Sequence, residues 1–247
     1  MRLIPFRSFA LSLVALVVGL SVASMAAAHG PKGRGGPPGS VARPDLPAYG
    51  TTYGELAGAW WNWALAGPTS ENPILDPDGR HCALRQSGRV WFLAGNFGGG
   101  FGEPNPTFRT CQVPPGKALF FPIFNSLFWA PEDGSSVEEV RLKAVDALEA
   151  ATSLAVTIDG VPVADPFAYR ASSPRGGYRF DVVPGSITET DFGYAPGPRF
   201  PAVADGYWIL VHPLRPGHHT IRIQAAAPSI GFQLDVSYEL EVAGRGH

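Results

Sequence analysis

Three residues whose side chains could bind a ligand lie within a tryptophan-rich stretch, YGELAGAWWNWALAG, at residues 53–67. They are Glu55, Trp61 and Asn62, which supply a carboxylate, an aromatic face and an amide. If the stretch is helical, Glu55 and Asn62 lie on a narrow face of small residues that a ligand or another segment can approach closely. Buried polar side chains more often serve the fold. The alternative is therefore a core helix whose Asn62 satisfies a backbone group.

Three further candidates, Arg85, Gln86 and Asn125, lie at the ends of apolar runs, where side chains can converge on the rim of a pocket. Asn125, directly after LFFPIF, is the best placed of them. Flat aromatic faces complement sugar rings and small apolar molecules, although most tryptophans belong to protein cores. We therefore predict a site for a carbohydrate or a small apolar ligand. Its stacking platform would be drawn from Trp61, Trp91, Trp129 and Trp208.

The sequence lacks the common catalytic motifs: G-x-S-x-G, H-E-x-x-H and a glycine-rich phosphate loop. The sequence DPDG at residues 76–79 resembles the start of a calcium loop, but the other oxygen ligands do not follow at the required spacing. Glycoside hydrolysis needs two acids a few ångströms apart. The candidate acids are Glu55, Glu103, Glu132 and Asp133. Since no spacing places two of them together, we assign no catalytic residue, no metal and no cofactor.

A metal-dependent alternative starts from His29, which cleavage after Ala28 would make the amino terminus. Copper-dependent polysaccharide monooxygenases hold copper through an N-terminal histidine and a second histidine. That second ligand could be His81, His212, His218 or His219. Against this, His29 opens a Gly/Pro-rich segment, whereas a copper site needs rigidly held ligands. A secreted hydrolase or copper-dependent oxygenase acting on an extracellular polymer is the alternative to a binding function.

The sequence contains two cysteines, Cys82 and Cys111. In an exported protein an isolated pair typically forms a disulfide. Neither cysteine belongs to a CxxC or has a histidine at metal-ligand spacing. We therefore predict that Cys82 and Cys111 are bridged, with Cα atoms about 4.4–6.8 Å apart.

Residues 1–28 have the pattern of a signal peptide, with Arg2 and Arg7, an apolar run at residues 9–22 and an A-x-A motif at residues 26–28. Their removal would change the net charge from −2 to −4 and leave 219 residues. The remaining basic residues are scattered, which argues against nucleic acid as a partner. No second apolar stretch of spanning length follows, so we expect no membrane span after cleavage and a periplasmic or extracellular location.

Residues 29–50 are rich in Gly and Pro, and we predict that they form a flexible tether. The helices and strands that must position the candidate residues begin after this segment. Thr52 and Glu55 then form a capping-box pattern at the start of the tryptophan helix. Trp60 and Trp63 share one stripe of this helix and should be nearly buried, whereas Trp61 lies on the opposite flank.

Later segments predict a mainly β fold. Residues 135–151 have the apolar spacing of an amphipathic helix, and from Ser153 the apolar period changes from 3.6 to 2. We predict an antiparallel β-sandwich, Ig-like or jelly-roll-like, with two covering helices and one domain at residues 51–243. The predicted strands are residues 89–95, 117–124, 154–158, 161–163, 178–183, 207–211, 220–224 and 232–242.

Four motifs in combination resemble a family of exported bacterial proteins that has no assigned activity: YGELAGAWWNWALAGP, HCALRQSGRVWFLAG, RTCQVPPGKALFFPIFNS and a closing PGHHTI strand. The resemblance extends from about Tyr53 to Val242, nearly the whole chain after the signal peptide. It implies export and a disulfide, and it supplies no catalytic residue.

The leading hypothesis is thus an exported, disulfide-bonded β-sandwich protein that binds a carbohydrate or a small apolar ligand. Besides the enzyme alternative, a structural cell-envelope protein would need only the sandwich and the tether. These hypotheses differ in what they expect of a concave pocket: acids or histidines for an enzyme, aromatics and amides for a binding protein.

Overall fold

The computed structural model describes residues 36, 37 and 39–244, in which two five-stranded β-sheets are the main elements. This architecture confirms the predicted mainly β fold, a sandwich with helices. The predicted signal peptide and His29 lie outside the described residues. Within the described part, no helix has the length and apolar character needed to cross a membrane.

Ten strands and three α-helices follow one another along the described chain. The strands are β1 (Val90–Phe92), β2 (Thr107–Val113), β3 (Ala118–Trp129), β4 (Ser153–Ile158), β5 (Val161–Pro162), β6 (Arg170–Ser172), β7 (Tyr178–Val182), β8 (Gly197–Val211), β9 (Gly217–Ala227) and β10 (Phe232–Val242). The helices are α1 (Tyr53–Ala64), α2 (Val137–Leu148) and the short α3 (Ile187–Thr190).

The first sheet has the order β1-β3-β8-β6, with β7 also pairing with β8, and the second has the order β2-β10-β9-β4-β5. Most neighbours are antiparallel, as predicted, but β1 pairs with β3, and β2 with β10, in parallel. Parallel neighbours need a long crossover. Here the chain leaves β1, crosses to β2 in the second sheet and returns to β3.

The sequence of strand β3 is a continuous apolar run because both of its faces are buried. Its alternate residues face different cores: Leu119 and Phe121 belong to the core between the two sheets, and Phe120 to the core under α1. Because both faces of the first sheet are covered, alternation with polar residues is lost. The expected irregularity at Pro122 is confirmed as a register shift between Pro122 and Phe124.

Strand β10 and the β4–β5 hairpin match their predictions most closely. The bounds of β10 are those predicted, and its side chains alternate between the core and the outer face. In the hairpin, Asp159 and Gly160 both have positive φ, 51° and 75°, as a type I′ turn requires.

Part of the predicted flexible tether is instead paired with the first sheet. Val41 forms an antiparallel bridge with Val211, and the Ala42 N–H donates to the Leu210 carbonyl at 2.8 Å. Ala42 is buried. The Gly/Pro content of residues 29–50 led us to expect no packing there, but two small apolar residues suffice to continue the sheet along the edge of β8.

The disulfide between Cys82 and Cys111 is confirmed, with Cα atoms 6.2 Å apart. It attaches the loop before β1 to strand β2. That strand was missed in the sequence, because its inward positions include the charged Arg109 and so do not read as an apolar alternation.

Helix α1 begins as predicted, with the reciprocal capping box between Thr52 and Glu55. All three of its tryptophans are buried: Trp60 is 1%, Trp61 8% and Trp63 7% exposed. The indole N–H groups of Trp60 and Trp63 donate to backbone carbonyls 2.9 Å away. The helix therefore forms a third layer, packed on the face of the first sheet that is turned away from the second.

Arg109 lies almost fully buried, at 2% exposed, and its guanidinium binds loops rather than a carboxylate. Nε donates to the Asp76 carbonyl at 2.7 Å and Nη2 to the Ile74 carbonyl at 2.9 Å. Nη1 donates to the Ala94 carbonyl at 2.9 Å and to the Tyr238 hydroxyl at 2.8 Å. One side chain thus joins the loop before β1, the segment after β1 and strand β10, and this satisfies a buried charge.

Because Trp61 and Trp63 are both buried in α1, we expect their replacement by alanine to destabilise the protein by similar amounts. Trp61→Ala and Trp63→Ala should each lower the free energy of unfolding by about 3–5 kcal/mol, as large core truncations do. Leu142→Ala, at a residue of α2 that is 63% exposed, is the control and should change stability by less than about 0.5 kcal/mol. Chemical denaturation measures all three. A Trp61→Ala variant as stable as the Leu142→Ala control would contradict this packing.

The contacts of Arg109 predict that even a conservative change is costly. Arg109→Lys should lower the free energy of unfolding by about 3 kcal/mol or more, since each buried acceptor left unpaired costs about 1–3 kcal/mol. Arg222→Lys is the matched control, because Arg222 makes an exposed ion pair with Asp235 and should cost less than about 1 kcal/mol. Equal stability of the two variants in urea denaturation would show that Arg109 does not hold these segments together.

Candidate functional site

Glu55, the first residue of the predicted site, serves the start of α1. Its carboxylate accepts hydrogen bonds from the Thr52 N–H at 2.8 Å and the Thr52 hydroxyl at 2.9 Å. These bonds, the backbone one foremost, lower the pKa of Glu55. The carboxylate therefore stabilises the helix terminus through its Oε2 atom.

Asn62 joins α1 to strand β7. Its Nδ2 donates to the Arg179 carbonyl at 2.9 Å, and its Oδ1 accepts from the Asp181 N–H at 3.0 Å. Nearby, the ring of Tyr178 lies where a side chain at Gly58 would be, 2.9 Å from an ideal Cβ. Strand β7 thus packs against the small-residue face of α1. This agrees with the alternative of a core helix whose Asn62 satisfies a backbone group.

Trp61 packs edge-to-face on Trp60, with ring centroids 5.0 Å apart, and its Nε1 has no hydrogen-bond partner among the described residues. The other members of the predicted stacking platform, Trp91, Trp129 and Trp208, are buried as well. None of the four offers a face to solvent, so a carbohydrate loses the stacking surface on which that prediction relied.

Arg85 and Gln86 organise the loop before β1. The Arg85 guanidinium donates to the Glu71 carbonyl at 2.7 Å and packs against Gly67. Gln86 pairs with Phe92 as a strand would: its Oε1 accepts from the Phe92 N–H at 2.9 Å and its Nε2 donates to the Phe92 carbonyl at 2.8 Å. Both side chains therefore serve the structure of this loop.

Asn125 lies on β3 opposite Gly206, on the α1 side of the first sheet. Its Nδ2 is buried without a hydrogen-bond partner in the described part of the chain. The space of an absent side chain at Gly206 is taken by Asn125 and the Trp208 indole, each 2.7 Å from an ideal Cβ. The predicted candidates therefore lie in three separate places, on α1, in the loop before β1 and on β3.

A cavity of about 320 Å³, open to solvent on one side, lies elsewhere, where residues 36, 37 and 39–49 pass the end of β8. Its wall is mainly apolar, with Val41, Leu46 and Ala48 among the lining residues, and no lining residue is acidic. Its polar side chains are Ser40, Arg43, Tyr49 and His212. The sequence analysis missed this site, because it treated residues 29–50 as a tether and considered His212 only as a copper ligand.

His212 and Tyr49 form the polar end of this cavity. His212 is buried, and its Nδ1 lies 2.7 Å from the Tyr49 hydroxyl. Burial lowers the pKa of His212 and raises that of Tyr49, so both groups are neutral near pH 7. The Arg89 guanidinium lies over the Tyr49 ring, 5.3 Å from its centroid.

The other edge of the His212 ring faces Gly36. An ideal Cβ at residue 36 would lie 2.5 Å from Cδ2, 2.6 Å from Nε2 and 3.0 Å from the Ser40 hydroxyl oxygen. The His212 ring therefore fills the space of a side chain at residue 36, which only glycine leaves free for it. The Ser40 hydroxyl donates to the Pro37 carbonyl at 2.7 Å. Gly36 and Ser40 thus lie close against this edge of the ring.

The acids considered for catalysis do not converge on this cavity. Glu103 is buried and accepts from the N–H groups of Phe97, Gly99 and Phe101, which shapes its own loop. The Asp76 carboxylate likewise accepts from three backbone N–H groups. Among the described residues, no three His, Cys, Asp or Glu side chains are grouped closely enough to hold a metal ion. Glu103 and Asp76 thus stabilise the loops to which they belong.

The chain matches no protein-family profile and no curated protein sequence. A solved structure with some similarity is that of PbICP-C in complex with falcipain-2: it shares 12% sequence identity, and the match covers 63% of this chain and 98% of that chain. The TM-score is 0.22, too low to support an inference about fold or function. The resemblance of the sequence motifs to exported bacterial proteins stays a prediction.

Proposed function

We propose that this is an exported protein that binds a small, mainly apolar ligand in the cavity between residues 36–49 and His212. The observation that carries the proposal is the mainly apolar cavity, in whose lining His212 is held by the contact between its Nδ1 and the Tyr49 hydroxyl. The site combines an apolar wall with a few convergent polar groups, the usual composition of a ligand pocket. Its volume, about 320 Å³, is at the lower end of the range of about 300–1,000 Å³ for such pockets.

The way the site is built also supports binding. The wall of the cavity is mainly apolar and partly exposed to water, with Leu46 54% exposed. A ligand that covers this wall would gain free energy by removing its apolar surface from water.

Export is supported by two independent features. The disulfide between Cys82 and Cys111 is typical of oxidising compartments. Residues 1–28 carry the signal-peptide pattern. A periplasmic or extracellular protein with such a cavity would meet small molecules directly, and residues 36–49 would present the cavity along one edge of the first sheet.

The proposal predicts ligand-dependent stabilisation that a cavity-filling change removes. The oxidised protein from an exporting host is tested by thermal shift against cyclohexane derivatives, each bearing one substituent: ketone, carboxylate, ammonium or methyl. A compound at 100 times its Kd should stabilise the fold by about 2.7 kcal/mol, which raises Tm by about 5–10 °C. Ala48→Phe, which fills the cavity, should abolish the shift.

The matched control is Ala83→Phe, at an exposed position in the loop before β1, and it should keep the full shift. Isothermal titration of the same variants gives the affinities directly. If none of the compounds binds the native protein, or if Ala48→Phe binds them as well as the control does, the proposed function is wrong.

A further inference from the structure

Building on the proposed function, we infer that the cavity holds its ligand at neutral pH and releases it in mild acid, because a proton on His212 puts a charge into the cavity lining. The inference concerns the regulation of the proposed site. It follows from the place of His212 in the fold, from the charged groups around its ring and from its contact with Tyr49.

His212 belongs both to the cavity and to the junction between the N-terminal segment (residues 36, 37 and 39–49) and the end of β8. Its buried side chain is part of the cavity lining, and its ring fills the space of a side chain at Gly36. Its backbone N–H donates to the Ser40 carbonyl at 2.8 Å, and its carbonyl accepts from the Gly39 N–H at 3.3 Å. A charge on this ring therefore acts on the cavity and on the attachment of its wall at the same time.

Among the described residues, the charged groups on the segments around the ring offer an imidazolium no free counter-ion. They are Arg43 and Asp45 in the N-terminal segment, Glu55 at the start of α1, Arg89 before β1, Lys117 before β3 and Arg215 after β8. Both acids have other partners: Asp45 pairs with Arg43 at 2.6 Å, and Glu55 accepts from the Thr52 N–H at 2.8 Å. Neither acid lines the cavity, whereas Arg43 does. A proton on His212 thus adds a positive charge to surroundings that are already mainly cationic.

The contact with Tyr49 also favours the neutral ring. The Tyr49 hydroxyl lies 2.7 Å from Nδ1 of His212. A phenol is a stronger acid than a neutral imidazole, so the hydroxyl donates and Nδ1 accepts. A second proton on the ring would occupy Nδ1, and the hydroxyl would have to turn its own hydrogen away. Protonation thus weakens a contact of the cavity wall, and burial of the ring lowers the pKa of His212 in the same direction.

An apolar ligand strengthens this effect by covering the ring. It removes water from His212, and the removal of water disfavours the charged form. Ligand and proton therefore oppose each other: binding lowers the pKa of His212, and protonation weakens binding by the same factor. The ordinary pKa of histidine is about 6.5. Because the pKa of His212 in the folded protein is lower, folding and binding both release protons, and both weaken as the pH falls below about 6.5.

The test measures the affinity of two uncharged probes, cyclohexanone and methylcyclohexane, by isothermal titration of the whole oxidised protein. The measurements are made at about pH 7.5 and about pH 5, on either side of the ordinary histidine pKa. Neither probe gains or loses a proton in this range, so any pH dependence belongs to the protein. We expect both probes to bind at least roughly threefold more weakly at the lower pH, because proton and ligand are coupled through His212.

Two variants assign the effect to His212. The side chain introduced by His212→Gln is neutral at both pH values, so this variant should bind each probe with nearly the same affinity at both. The matched control is His218→Gln, at a histidine of β9 whose side chain is 58% exposed, and it should keep the pH dependence of the native protein. In NMR spectra of the native protein, His212 should titrate at a lower pH once cyclohexanone is bound, while the titration of His218 stays unchanged. If His212→Gln does not fold, these spectra decide by themselves.

Two outcomes would overturn the inference, and they differ from failure of the proposed function. Equal affinity at the two pH values, or a titration midpoint of His212 that stays the same when cyclohexanone binds, would refute the role of the proton while the cavity still binds. If neither probe binds at the higher pH, the inference fails together with the proposed apolar ligand.

Discussion

The hydroxyl of Tyr53 is the contact on which the arrangement of the site depends. It donates to the Ala42 carbonyl at 2.7 Å and accepts from the Leu210 N–H at 3.1 Å, while the Ala42 N–H donates to the Leu210 carbonyl. A side chain from the first residue of α1 thus replaces one backbone bond between the N-terminal segment and β8. Tyr53 is 1% exposed, and burial raises the pKa of its phenol far above its ordinary value. It therefore holds the helix, the sheet and the cavity wall together with a neutral group.

Several other polar side chains bind backbone groups in the same way. Arg109 gathers carbonyls, and Glu103 gathers the N–H groups of its loop. Asn62 and Gln86 pair with backbone as strand neighbours would. Such contacts turn long irregular segments into fixed structure. They also explain why Asn62, Arg85 and Gln86, which looked like ligand contacts in the sequence, are already occupied. Among the described residues, Nδ2 of Asn125 is by contrast buried without a partner.

Local sequence signals predicted much of the fold. The capping box of α1, the Asp159-Gly160 turn and the alternation of β10 depend on neighbours along the chain, so they can be recognised without a structure. Strand β2 could not be recognised in this way, because one of its inward-facing residues is Arg109. The groups that make the burial of this arginine possible are distant in sequence. The cavity was missed for the same reason: Tyr49 and His212 are 163 positions apart, and only the pairing of residues 39–42 with β8 brings them together.

The most direct test of the central claim, a ligand cavity lined by residues 36, 37, 40–43, 46–49 and 212, is to map binding residue by residue. Backbone amide spectra of the isotope-labelled protein would be recorded during titration with the probe that binds most tightly. The account predicts that shift changes are largest at residues 39–50 and 210–212 and small along α1. Changes concentrated on α1 and β7, or spread evenly over the sheets at saturating probe, would contradict it.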